Sequence, residues 1–136
     1  MNAPRGQASA ELLLLLAAAA GFFLVLAPAF GEAVGAAEAR LAAEQEQAAA
    51  ERISALAEAA ALLPGGVLET RVHIPVDTQV EADGERIVLR FGVGGREMEI
   101  WRKCALAAAR TEMGRGGWSV RATAGGLEFS REGESN

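Results

Sequence analysis

The hydrophobic and polar positions divide the chain into three segments with different periods. Residues 12–30 carry no charged side chain, and these nineteen residues fit the roughly 20 that a helix needs to span a bilayer. Residues 31–63 stay rich in alanine but add charges, and from residue 67 onward apolar and polar side chains alternate. This change of period predicts an α+β fold: a long N-terminal α-helix, apolar and then amphipathic, packed on a small C-terminal antiparallel β-sheet.

A seven-residue repeat in the charged part of the helix predicts which side covers the sheet. Its apolar members share one stripe, which we expect to pack on the sheet: Val34, Leu41, Ala48, Ala55 and Leu62. Its acidic members form a neighbouring stripe, which we interpret as solvated: Glu44, Glu51 and Glu58. The repeat therefore predicts one buried and one exposed face.

Prolines and glycines predict a kink in this helix and the point where it ends. Pro28 removes one backbone hydrogen bond and clashes with the preceding turn, so we expect a kink there. The run Pro64-Gly65-Gly66 predicts the helix end. A continuous helix over residues 8–63 would be about 84 Å long, more than a domain of this size can cover. Lipid, other subunits or both must therefore bury much of it.

The C-terminal half has the alternation of half-buried strands. Five stretches alternate, with Gly-containing turns between them: 67–76, 85–91, 96–101, 118–122 and 127–131. The turns lie at Asp83-Gly84, at residues 92–95 and at Gly125-Gly126. We expect an antiparallel meander with one apolar face, and residues 103–113 fit either a short helix or an irregular connection.

Composition argues against several classes of function. The net charge is −5 and lysines and arginines do not cluster, so we expect no nucleic-acid partner. Cys104, the single cysteine, is interpreted as a buried apolar side chain, and His73 has no partner at ligand spacing, so neither metal nor cofactor is expected. Glu97 and Glu99 are interpreted as a solvated pair. Since no nucleophile–base arrangement is visible, we expect no enzyme.

A motif precedes the apolar segment directly. Arg5 and Gly6 are followed by Gln7, Ser9, Glu11 and Leu15 at fixed spacing. This arrangement resembles the class III signal peptide of archaeal type IV pilins. The resemblance implies that a prepilin peptidase cuts between Gly6 and Gln7. A helix-kinking proline at the position of Pro28 is also similar to many type IV pilins.

The resemblance implies a structural subunit of an archaeal type IV-like pilus. Its expected regions are a leader peptide (1–6), an apolar membrane or filament-core helix (7–31), an amphipathic helix (32–63) and a β head (64–136). The precursor would lie in the cell membrane with its N-terminus inside and its head outside. It would then join other subunits in an extracellular filament.

Glu11 has a defined part in this expectation. An unpaired carboxylate is heavily penalised in the low-dielectric centre of a filament. Cleavage exposes an α-amino group on Gln7, whose reference pKa of about 7.7–8.0 leaves it mostly cationic at neutral pH. It can pair with Glu11 of a neighbouring subunit or of its own chain, and both pairings stay open here.

Two alternatives do not involve polymerisation. A single-pass membrane protein with an external binding head would keep its N-terminus. A secreted binding domain would lose an ordinary signal peptide, which needs an apolar stretch and a small-residue cleavage site. The sequence APAF at 27–30 offers such a site after Ala29.

Overall fold

The fold was analysed in a computed structural model, which describes residues 4–63 and 65–133, with side chains from residue 9 onward. The chain forms two compact units, Met1–Ala37 and Glu38–Asn136. One helix, α1, covers Pro4–Leu62. Seven strands follow: β1 (Leu68–Ile74), β2 (Thr78–Asp83), β3 (Arg86–Val93), β4 (Arg96–Lys103), β5 (Ala107–Met113), β6 (Gly116–Thr123) and β7 (Gly126–Arg131). The predicted α+β architecture, a long helix packed against antiparallel strands, is confirmed.

Helix α1 ends where the sequence predicts. Alanine and leucine, the residues with the highest helix propensity, dominate its length. After Leu62 the chain turns, with Gly65 at a φ of 84° and the Gly66 N–H donating to the Leu63 carbonyl at 3.0 Å. Pro64 lies outside the described residues. The positive φ explains why a glycine follows this helix end.

The strands form two sheets, so the expectation of one meander is wrong. Strands β1, β6 and β7 make a three-stranded sheet in the order β1-β6-β7, and the other four are ordered β4-β3-β2-β5. All pairings are antiparallel. Pro75, which has no backbone N–H to donate, follows β1 at the point where the chain leaves the first sheet. The apolar side chains expected on one sheet are thus divided between two smaller sheets.

Residues 103–113 are neither a short helix nor an irregular connection. Their alanines favour a helix in isolation, but most of the segment forms β5 on the free side of β2. Thr78 pairs with Met113 and Ala82 pairs with Ala108, with a register shift between them. Tertiary pairing overrides local propensity here because β2 offers an unpaired edge.

The predicted turns are confirmed, and glycine is required in several of them. Gly94 and Gly95 form a two-residue hairpin loop with φ values of 60° and 76°. Asp83 accepts hydrogen bonds from two following backbone N–H groups at 2.9 Å each. At the start of β7, a Cβ on Gly126 (φ 134°) would lie 2.5 Å from the Ala107 carbonyl oxygen. Only glycine permits that close approach between β7 and β5.

Helix α1 packs on the sheets through a different face from the predicted one. The predicted stripe is exposed; Leu41 and Leu62 keep 56% and 80% of their surface exposed. The buried positions recur at three- and four-residue intervals instead: Ala42, Glu46, Ala49, Ala50, Ile53, Ala57 and Ala60. A one-residue offset rotates a side chain by about 100° around a helix, so the seven-residue repeat selected a neighbouring face. The predicted solvated face is confirmed, since Glu44, Glu51 and Glu58 are all exposed.

The core of the second unit joins this helix face to both sheets. Ile53 and the buried alanines contact apolar side chains from the two sheets in one continuous cluster. Polar contacts fix the register: Ser54 Oγ donates to the Lys103 carbonyl at 2.6 Å, and Arg52 donates to the Arg71 carbonyl at 3.4 Å. The small side chains let the helix approach the strands closely, and Ile53, a large apolar side chain on this face, is fully buried.

Candidate membrane and assembly segment

The first unit presents large apolar side chains on every side of α1. Leu12–Leu16 keep 58–71% of their surface exposed, and five consecutive leucines go around more than one helical turn. The helix contains an 18-residue window with a mean hydropathy of 2.5, none of which is buried within the chain. A helix that is apolar all round requires an apolar environment such as a bilayer or a protein core. Its length and composition are compatible with membrane anchoring.

The residues of the predicted motif lie on the N-terminal turns of α1. Ser9, Glu11 and Leu15 are exposed, with Leu15 at 68%. Glu11 and Leu15 are four residues apart and therefore share one face of the helix. Gly6 and Gln7 belong to α1, but their side chains lie outside the described part of the chain, so the predicted cleavage site and the Gln7–Glu11 pair stay predictions.

Pro28 lies inside α1, which continues to Leu62. Because proline has no backbone N–H, the carbonyl four residues earlier, on Leu24, loses its helical partner. The predicted kink is not tested by the continuity of the helix and stays a prediction. Just beyond Pro28, Gly31 and Gly35 have open space where a Cβ would lie.

The second unit contains a buried carboxyl group that the sequence analysis missed. Glu46 has 0% of its surface exposed and lies on the face of α1 that packs on the sheets. Its Oε1 lies 2.7 Å from the Thr78 hydroxyl oxygen, and its Oε2 is buried without a hydrogen-bond partner among the described residues. Burial raises the pKa of Glu46 to about 7, although the hydrogen bond with Thr78 opposes that rise.

Charged side chains cover the other face of the four-stranded sheet. Arg90 Nε lies 2.8 Å from Glu99 Oε2, and Arg90 Nη1 lies 3.8 Å from Glu81 Oε2. At the end of this sheet is an open depression of about 890 Å3, whose charged and polar lining comprises Asp77, Thr78, Gln79, Arg90, Glu97, Glu99 and Glu112. Glu97 and Glu99 are exposed, as their interpretation as a solvated pair requires.

The edge strand β4 carries the most exposed aromatic side chain of the head. Trp101 keeps 59% of its surface exposed. The Trp101 carbonyl accepts a hydrogen bond from Arg102 Nη1 at 2.8 Å, and the Lys103 carbonyl accepts from Ser54. These bonds occupy backbone acceptors at one end of the edge and reduce its capacity to pair with another strand.

The two residues considered for metal or redox chemistry have ordinary surroundings. Cys104 is 1% exposed and its Sγ lies 3.2 Å from the Leu106 carbonyl, so the predicted burial is confirmed. Burial raises the pKa of its thiol, which disfavours the reactive thiolate. His73 is exposed on β1. Within residues 4–63 and 65–133, no three His, Cys, Asp or Glu side chains are grouped to hold a metal ion.

A signal for the buried helix face was present in the sequence. Between Leu41 and Leu62 the only large aliphatic residues are Ile53 and Leu56. Ile53 is fully buried and Leu56 is partly buried. The helix face that contains Ile53 also contains Glu46, seven residues earlier. An acidic side chain is not typical of a packed surface, so the sequence does not favour this face.

Comparisons with protein-family models, with curated proteins and with solved structures found no match. The assignment of function therefore rests on the residues of this chain and on the resemblance of its N-terminal motif.

Proposed function

We propose that this protein is the structural subunit of an archaeal type IV-like pilus or surface filament, made as a membrane precursor and processed by a prepilin peptidase. The single observation that carries the proposal is the arrangement of Gly6, Gln7, Ser9, Glu11 and Leu15 directly before a helix that is apolar on all sides. An ordinary anchor needs the apolar helix but has no need of this motif. Arg5, on the flank expected to be cytoplasmic, agrees with an orientation that leaves the head outside.

Assembly transfers the apolar helix from lipid to a bundle of identical helices. Both environments are apolar, so burial of the leucines contributes little to the preference for one over the other. Specificity must then come from small side chains that allow close packing and from the pairing of Glu11 with an amine. Head-to-tail packing of this kind is heterologous and produces an open filament rather than a closed ring.

A role in binding or structure fits the head better than catalysis. The polar side chains around its open depression are mostly carboxylates, with Arg90 as the lining cation. We therefore assign the head to the surface of the filament.

The N-terminus of the mature protein tests the proposal. Mass spectrometry of protein sheared from the cell surface should give a chain that begins at Gln7. Gly6→Val should block cleavage, because a branched side chain replaces the glycine before the cut bond, and only the uncut precursor should accumulate. Gly31→Val is the matched control, since a Cβ at Gly31 meets open space, and it should be processed normally.

Other N-termini would contradict the proposal and identify the alternative. A start at Phe30 would indicate a secreted domain that has lost an ordinary signal peptide. An intact Met1 in the membrane fraction would indicate a single-pass anchor, and normal processing of Gly6→Val would exclude the prepilin peptidase.

A further inference from the structure

The contact between α1 and β2 contains more hydrogen-bond acceptors than protons if Glu46 is ionised. The Thr78 hydroxyl oxygen lies 2.7 Å from Glu46 Oε1 and 2.9 Å from the Val76 carbonyl oxygen. A threonine hydroxyl has one proton to donate, and neither a carboxylate nor a carbonyl can donate. With an ionised Glu46, one of these two short contacts is left without a proton.

A protonated Glu46 satisfies both contacts. Glu46 Oε1–H donates to Thr78 Oγ1, and the Thr78 hydroxyl donates to the Val76 carbonyl. Oε2 then remains as the carbonyl oxygen of a neutral acid, which is much less costly to bury without a partner than a charged carboxylate. The count of donors and acceptors thus favours the neutral form on geometry alone.

From this arrangement we infer that Glu46, Thr78 and the Val76 carbonyl form a proton-dependent latch that holds helix α1 on the four-stranded sheet. When Glu46 is protonated, two linked hydrogen bonds tie the helix to the start of β2. When the proton leaves, the relay loses one bond and a negative charge stays in an apolar contact. The latch loosens with rising pH and closes again as the pH falls.

The ionisable groups around this contact are exposed, and those other than His73 have hydrogen-bond or ion-pair partners of their own. Glu46 lies sixteen residues beyond the apolar segment 12–30. On its own helix Glu44 is exposed and bound to Arg40, and on β5 Glu112 is exposed and bonded by Gln79. Before β2, the exposed Asp77 accepts from the Arg115 N–H, while Arg90 of β3 pairs with Glu99. His73 of β1 is exposed near Gln45 and Ala49 and needs its own control.

The pH range follows from the direction of the shift. The pKa of Glu46 rises from 4.5 to about 7 in the folded protein, which corresponds to a roughly 300-fold higher affinity for the proton. Between these values the folded state binds more protons than the unfolded state, so the free energy of unfolding falls as the pH rises through this range and levels off above it. Hydrogen bonds lower the pKa of Glu51, Glu69 and Asp83, so these groups titrate below the range.

Denaturant unfolding of the full chain in detergent micelles, at pH 5 and at pH 8, tests the latch. Tryptophan fluorescence, to which Trp118 in the core (9% exposed) and the exposed Trp101 both contribute, reports on unfolding. The wild type should unfold at a lower denaturant concentration at pH 8 than at pH 5. Glu46→Gln keeps the size of the side chain and can donate to Thr78 at both pH values, so it should lose this difference. Glu44→Gln and His73→Gln are the matched controls and should retain it.

Retention of the wild-type pH difference in Glu46→Gln would overturn the latch. If that variant does not fold, the wild type decides through NMR of 13C-labelled glutamate carboxyl groups. One carboxyl should titrate near pH 7, well above the exposed ones; titration of all carboxyls together near their ordinary pKa would refute the inference. Neither measurement depends on the N-terminus, so the latch and the pilus proposal can fail separately.

Discussion

The two ends of helix α1 use the same residue types in opposite ways. In residues 12–30, large apolar side chains cover all sides, and the described chain buries none of the 18-residue apolar window. In residues 38–62, alanines and Ile53 form one buried face while Leu41 and Leu62 stay exposed. The first region therefore needs an apolar environment from outside its own chain. The second obtains its environment from the strands of its own chain.

Each region is also associated with one acidic residue in apolar company, Glu11 immediately before the first region and Glu46 within the second. Glu11 borders the leucines and is exposed in the single chain, whereas Glu46 is fully buried and hydrogen-bonded to Thr78 of the same chain. A buried carboxyl group must be neutralised by a partner charge or by a proton. In our proposals the first solution applies to Glu11 and the second to Glu46, so the comparison can be tested by changing either region.

The largest effect is expected from Glu11→Ala. If an amine of Gln7 pairs with Glu11 in the filament, removal of the carboxylate leaves that amine buried without a partner. We expect filament yield to fall roughly tenfold or more, because breaking a buried ion pair is strongly destabilising. Filaments counted by electron microscopy, with cleavage checked by mass spectrometry, measure this. Glu32→Ala, at the other end of the apolar segment, is the control, and abundant filaments of Glu11→Ala would refute the pairing.

The next effect concerns the buried face of the second region. Ile53→Ala removes the only large apolar side chain that the described part of α1 buries fully in the core, and we expect a loss of about 2–5 kcal/mol in the free energy of unfolding. Leu41→Ala, 56% exposed, is the matched control and should change stability by less than about 0.5 kcal/mol. Denaturant unfolding of the full chain in micelles measures both. A larger loss in Leu41→Ala than in Ile53→Ala would mean that the helix packs through the other face.

A smaller effect should distinguish two alanines of the same helix. Ala50 is fully buried and Ala48 is exposed. Ala50→Leu forces extra volume between the helix and the strands, so we expect a loss of about 1–3 kcal/mol in the free energy of unfolding. Ala48→Leu adds the same atoms in solvent and should be close to neutral. The same unfolding measurement applies. An unchanged free energy of unfolding for Ala50→Leu would show that the contact between the helix and the strands can accommodate the larger side chain.

The sequence predicts those features that depend on local pattern. The apolar segment follows from its length, the end of α1 from the glycines after Leu62, and the buried faces of β1, β3 and β6 from their period of two. In β3, for example, Ile87 and Leu89 are buried and Arg86 and Arg90 are exposed, as predicted. The burial of Cys104 was also predicted correctly.

Other features depend on partners that are distant along the chain. Residues 107–113 have the propensity of a helix, and only the free edge of β2 makes them a strand. Alanine is abundant on several faces of α1, so the sequence pattern did not identify the buried face. The position of the sheets determines which face is buried. Glu46 illustrates the limit most clearly. Its side chain is solvated in an isolated helix, and only the Thr78 hydroxyl and the surrounding strands give it a buried site in which a proton is favoured.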